Sequence, residues 1–102
     1  MRNDEGITSI EMTETVSCFC PLGQQWYEAD LEMTADGMEQ IPDYLDVTEM
    51  LQETSGETLT IEQLVARVYG FLMEQFGEGA HVKVTANVPK GKHLAVSVSK
   101  EG

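Results

Sequence analysis

Basic residues are what this sequence lacks most. Six Lys and Arg face eighteen Asp and Glu, a formal net charge of −12. That balance excludes the basic footprint needed to hold a phosphate backbone, and it opposes docking on anionic lipid. Acidity of this kind is first of all a solubility property. Long apolar runs are missing too: nothing approaches the ~20 residues of a membrane-spanning helix. The opening Met1-Arg2-Asn3-Asp4-Glu5-Gly6 has no apolar stretch, so no secretory signal is expected. Two cysteines are too few for a disulfide framework. Cys18 and Cys20 lie two apart in an extended segment, with Cα atoms roughly 6.6 Å apart and side chains running parallel, a poor geometry for a bridge. A reduced, cytoplasmic protein is the expectation. The chain shows no internal repeat, low-complexity tract or linker.

What is present is a legible alternation. Residues 1–6 read as a disordered lead-in and 7–102 as a single domain. From Ile7 to Cys20 the period is two: Ile10, Met12, Val16, Cys18 and Cys20 share one face, and Glu14 interrupts it, which suggests a bulge. Pro21-Leu22-Gly23-Gln24 supplies a turn. The second strand, Gln25 to about Ala35, points Tyr27, Ala29, Leu31 and Met33 inward and Trp26, Glu28, Asp30 and Glu32 outward. A short helix is expected to start near Asp46 with Glu49 as capping partner, burying Val47, Met50 and Leu51 and stopping near Ser55-Gly56. A longer helix opens with Thr60 as cap and Gln63 completing the box, with Ile61, Leu64, Val65, Val68, Leu72 and Phe76 as its apolar stripe. Gly70 inside it should be costly unless another backbone approaches closely. A final hairpin alternates Val82, Val84, Ala86 and Val88, turns at Pro89-Lys90-Gly91-Lys92, and returns through Leu94, Val96 and Val98.

The fold class is therefore α+β in the order ββααββ: a four-stranded antiparallel sheet with two helices on its apolar face. The other face is hydroxyl, amide and carboxylate, with Phe19 and Trp26 as exceptions. Four strands leave two long edges, and a ring of copies would remove them while enclosing the polar face; homo-oligomerisation is predicted on that ground.

No strong catalytic motif is present. Cys18, Cys20, His81 and His93 add up to a Cys₂His₂ zinc set on paper, but Cys-x-Cys on a strand is not the usual knuckle spacing. Exposed strand histidines and semi-buried thiols are expected instead, with no metal. Lys90 and Lys92 are solvated turn charges by default; a catalytic lysine needs burial or a cationic neighbour. Glu62, at the second position of the long helix, is favoured there by unpaired N–H groups. A carboxylate so placed can also grip the adjacent N–H donors of an amino-pyrimidinone ring.

Four features carry a resemblance: the ββααββ order, Leu22-Gly23-Gln24 opening strand two, Asp43-Tyr44-Leu45-Asp46-Val47 before helix one, and Thr60-Ile61-Glu62-Gln63-Leu64 opening helix two. Over about residues 7–100 the chain resembles dihydroneopterin aldolases of folate biosynthesis, members of the tunnelling fold. The resemblance implies a homo-oligomer, tetramer or octamer, with pterin pockets between subunits. Glu62 matches the glutamate that anchors the pterin, Leu64 belongs to the same binding segment, and Tyr44 matches a residue lining the pocket from the adjacent subunit. The implied reaction is retro-aldol cleavage of 7,8-dihydroneopterin without metal, Schiff base or cofactor. The chain departs from the pattern twice. Phe19-Cys20-Pro21 replaces an acidic–basic pair, and Val88-Pro89 lacks the usual lysine, for which Lys90 or Lys92 would have to substitute. A scaffold without chemistry is one alternative. Another is a relative of the nitrile reductases, whose cysteine-proline segment is similar to Cys20-Pro21-Leu22-Gly23-Gln24.

Overall fold

The computed structural model describes residues 1–91 and 94–102. Its elements run β1 (Ser9–Cys20), β2 (Gln25–Asp36), α1 (Tyr44–Thr54), α2 (Ile61–Phe76), β3 (His81–Val88) and β4 (Val96–Glu101). The strands form one antiparallel sheet in the order β1-β2-β3-β4. The helices cover one face, with α1 against β1 and α2 against β3 and β4.

β1 and β2 pair without interruption from Ser9↔Asp36 to Cys20↔Gln25. The bulge expected at Glu14 is therefore absent. Glu14 sits opposite Leu31, on the helix-covered face, yet remains exposed while its carboxylate accepts the N–H of Thr15 at 2.9 Å. A carboxylate that still reaches water can occupy an apolar register without breaking the ladder. Between the layers lie Val16, Cys18, Leu31, Met33, Val82, Val84 and Ala86 from the sheet, and Leu64, Val65, Val68, Leu72 and Phe76 from α2. Each large side chain removed from water in this way is worth about 1.5–3 kcal/mol.

The first helix starts earlier than its sequence suggests. Asp43, not Asp46, is the cap: its carboxylate accepts the N–H of Leu45 at 2.9 Å, and Glu49 plays no part. Asp43 itself takes the extended backbone of a cap, with φ −76° and ψ 117°. The second helix has the full capping box of Thr60 and Gln63 and ends at Gly77, whose φ of 88° a side chain would resist. Leu94, expected in the last strand, lies before β4 and is 80% exposed.

The segment 55–59 runs along the outer edge of β1. Phe19 N–H donates to Glu57 C=O at 2.9 Å, and Leu59 N–H donates to Phe19 C=O at 3.0 Å. The lead-in is engaged likewise. Asn3 N–H donates to Glu39 C=O at 2.9 Å, Ile41 N–H donates to Met1 C=O at 2.7 Å, and the Asn3 side chain bonds Ile7 and Met38.

The close approach expected at Gly70 is not there: a Cβ added at this exposed position would meet nothing within 4 Å. Gly70→Ala should accordingly raise unfolding stability by about 1 kcal/mol, read from urea or thermal melts. A loss instead would show that something else packs on this face of α2.

Candidate functional site

The turn end of the first hairpin brings two thiols, a phenol and a carboxylate together. Cys18 and Tyr27 are directly opposed on the inner face, and Cys20 is one inward position further along β1. Tyr27 reaches up to the approach to α2, where its hydroxyl donates to Leu59 C=O at 2.7 Å. Leu59 directly precedes the cap Thr60, and Glu62 follows in the first turn. The charges of Cys20 and Glu62 both act on the Tyr27 phenol.

The environments of these side chains differ. Cys18 is fully buried, and its thiol points at Thr54 C=O at 3.6 Å. Burial pushes its pKa up, and a hydrogen bond with Tyr27 opposes that shift in part. Burial also pushes the Tyr27 phenol well above its ordinary value, reinforced by the neighbouring cysteines and by Glu62. Cys20 is half-buried, and its sulfur accepts the N–H of Gly23 at 3.4 Å. Glu62 is exposed at the second position of α2, near N–H groups the helix leaves unpaired. Glu57 and Arg67 form an ion pair close by, on the Cys18 side.

Beside this group β2 overhangs its neighbour. The β2–β3 pairing ends at Asp30↔Asn87, leaving Gln25–Ala29 flanked on one side only. A groove of about 490 Å³ fills the gap, lined by Gln25 to Glu28 on one wall and by Val88, Pro89, Lys90, Gly91 and Leu94 on the other.

The sequence-derived candidates separate accordingly. Glu62 and Cys20 both act on the Tyr27 phenol through their charges, and Lys90 shares the groove with Tyr27. Leu64 does not join them: it is fully buried in the core, and its N–H donates to Thr60 C=O within the helix. Tyr44 is half-exposed at the far end of α1, about 15 Å along the helix axis from the Thr54 end that meets Cys18. Lys92 and His93 lie outside the described residues. His81 pairs with Asp36 and Glu101, nine residues along β2 from Tyr27, so it cannot complete a zinc set with the cysteines. Among the described residues no group of three metal-binding side chains is found. Tyr27 was missed as a functional residue. Its signal was a phenol on an apolar strand face, which must find a polar partner once buried.

The raised phenol and thiol make stability fall at high pH. The unfolded chain loses the Tyr27 proton near pH 10, whereas the folded chain retains it to higher pH. The native state therefore binds more protons above pH ~10, and stability must decline there; Cys18 adds a decline starting near its own ordinary value. Tyr27→Phe should flatten the alkaline limb of a stability–pH profile, and an unchanged limb would contradict this assignment.

No family model matches the chain, and no curated protein matches it. Among solved structures, the crystal structure of the archaeosine synthase QueF-Like in the apo form is similar, with a TM-score of 0.82 at 13% identity over 94% of each chain. At this identity the likeness concerns the fold, and it gives no support specific to dihydroneopterin aldolases. The chain thus has the tunnelling-fold architecture: a ββααββ antiparallel sheet carrying two helices.

Proposed function

We propose that this protein binds a planar, nitrogen-rich heterocycle of the pterin type at the mouth around Glu62, with the pocket completed by another copy of the chain. The observation that carries this reading is the placement of Glu62. Its carboxylate is exposed in the first turn of α2, the helix whose approach is tied to Tyr27 through the Leu59 carbonyl, where an amino-pyrimidinone can present two adjacent N–H donors. The similarity to the structure of an archaeosine synthase is in keeping with a small heterocyclic ligand. The remoteness of Tyr44 from Glu62 within one chain suits a role for it across a subunit boundary, and the outer edge of β4 has no backbone partner among the described residues.

The finer reading is retro-aldol cleavage of 7,8-dihydroneopterin. A base removes the proton of the side-chain hydroxyl, the neighbouring C–C bond breaks, its electrons enter the ring, and glycolaldehyde leaves as the ring system is reprotonated. Lys90, which shares the groove with Tyr27, is the candidate proton-transfer group for this step.

Glu62→Ala should weaken binding of a pterin by about a hundredfold in calorimetry, because two charge-assisted hydrogen bonds disappear. Its circular dichroism and melting should stay close to wild type, since Glu62 is exposed. Full pterin affinity in the variant, or none in the wild type, would defeat the reading.

Cys20 offers an independent probe of the same mouth. A thiol reagent should modify Cys20 and spare the buried Cys18, and a bound pterin should slow the reaction. Modification unaffected by saturating pterin would place the ligand elsewhere.

A further inference from the structure

The groove beside β2 has a backbone wall, and the hydrogen-bond pattern shows which groups form it. Val82 and Gly102 exchange both of their backbone hydrogen bonds, at 3.3 and 3.2 Å, so even-numbered residues of β3 point their N–H and C=O toward β4. Odd-numbered residues of β3 must then point toward β2, and the registers pair them with even-numbered β2 residues: His81 with Asp36, through to Asn87 with Asp30. The β1 side agrees. Ser17 and Phe19 bond outward to the 55–59 segment, which leaves even-numbered β1 residues, and hence odd-numbered β2 residues, for the β1–β2 ladder. On the overhang, Trp26 and Glu28 therefore aim their N–H and C=O groups into the groove. Among the described residues neither has a backbone partner.

The reason the ladder stops is chemical. Continuing the register would set residue 89 against Glu28, and residue 89 is proline, which has no N–H to give the Glu28 carbonyl. Beyond it the chain leaves the sheet as the far wall of the groove. Among the described residues two donor–acceptor pairs thus stay open about 6.8 Å apart along β2, next to Tyr27.

We infer that this notch is a second recognition element of the ligand site: the backbone of Trp26 and Glu28 pairs with a ring edge that offers a donor beside an acceptor. This rests on the reading of Glu62 given above. The occupant is the small heterocycle itself. The groove has the volume of a small-molecule site, and it includes Tyr27, whose hydroxyl reaches Leu59 at the approach to the helix that carries Glu62. A strand residue exposes N–H and C=O on the same side, and an amide-like ring edge is its natural complement. Glu62 would take one edge of the ring and β2 another, and a ligand with only one such edge would bind weakly.

The test compares wild type, Glu62→Gln and Pro89→Ala, with 7,8-dihydroneopterin as probe and backbone amide NMR as the main readout. In the wild type, ligand should shift the Trp26 and Glu28 amides and slow their hydrogen exchange about tenfold or more. Pro89→Ala supplies the missing N–H, lets the ladder close over the notch, and should weaken binding about tenfold while its melting temperature is kept or raised. A loss of binding together with a lower melting temperature would count against the notch, as damage to the fold rather than closure. Binding that depends on Glu62 but leaves both amides unmoved and Pro89→Ala unimpaired overturns this inference alone. Absence of binding in the wild type overturns it together with the Glu62 reading.

Discussion

The uninterrupted twelve-residue pairing of β1 with β2 is the constraint on which the other features rest. Because side chains alternate with period two, a slip of one residue would carry Val16, Cys18, Leu31 and Met33 to the wet face and expose the floor under both helices. Holding the register through Glu14 without a bulge keeps Cys18 opposite Tyr27 and Cys20 at the turn. Every group around the mouth is positioned by that alignment, and α2 is tied to it through Tyr27 and the Leu59 carbonyl.

The outer face shows how a strongly acidic chain tolerates its charge. Glu11, Glu28, Asp30, Glu32, Asp36 and Glu101 face cross-strand hydroxyl, amide or basic partners rather than one another across neighbouring strands. Thr15 donates to Asp30 at 2.7 Å, Ser97 donates to Asn87 at 2.8 Å, and Thr85 and Ser99 share a bond at 2.8 Å. Lys83 lies between Thr34 and Glu101, and His81 between Asp36 and Glu101. Such pairs are individually small, but they keep like charges apart on a wet surface.

The mouth inherits its chemical character from unequal burial. Cys18 and Tyr27 are enclosed and therefore held neutral, while Cys20 and Glu62 remain open to an incoming molecule. Neutral hydrogen-bonding groups behind and an anionic carboxylate in front suit a polar ring with several N–H donors. The anion-rich composition disfavours phosphate-rich molecules at the same surface.

Much of this was written locally. Alternation and turn chemistry determined the four strands, and the capping box of Thr60 and Gln63 determined where α2 begins, because these signals act within a few residues. Where two local signals competed, local reading failed. Asp46 with Glu49 had the better capping pattern, yet Asp43 is the cap, extended itself and accepting the Leu45 N–H. Glu14 on an apolar register looked like a bulge, and only the layout of the helices shows that its tip is left in water. Gly70 suggested a close neighbour, and none is there. Glu62 and Cys20 could be singled out from residue type and position, but the bond from Tyr27 to Leu59 that brings the start of α2 to the hairpin is tertiary. The open backbone of Trp26 and Glu28 is likewise a tertiary product. Sequence alone supplied the proline, and the register of three strands decided which carbonyl it leaves without a donor.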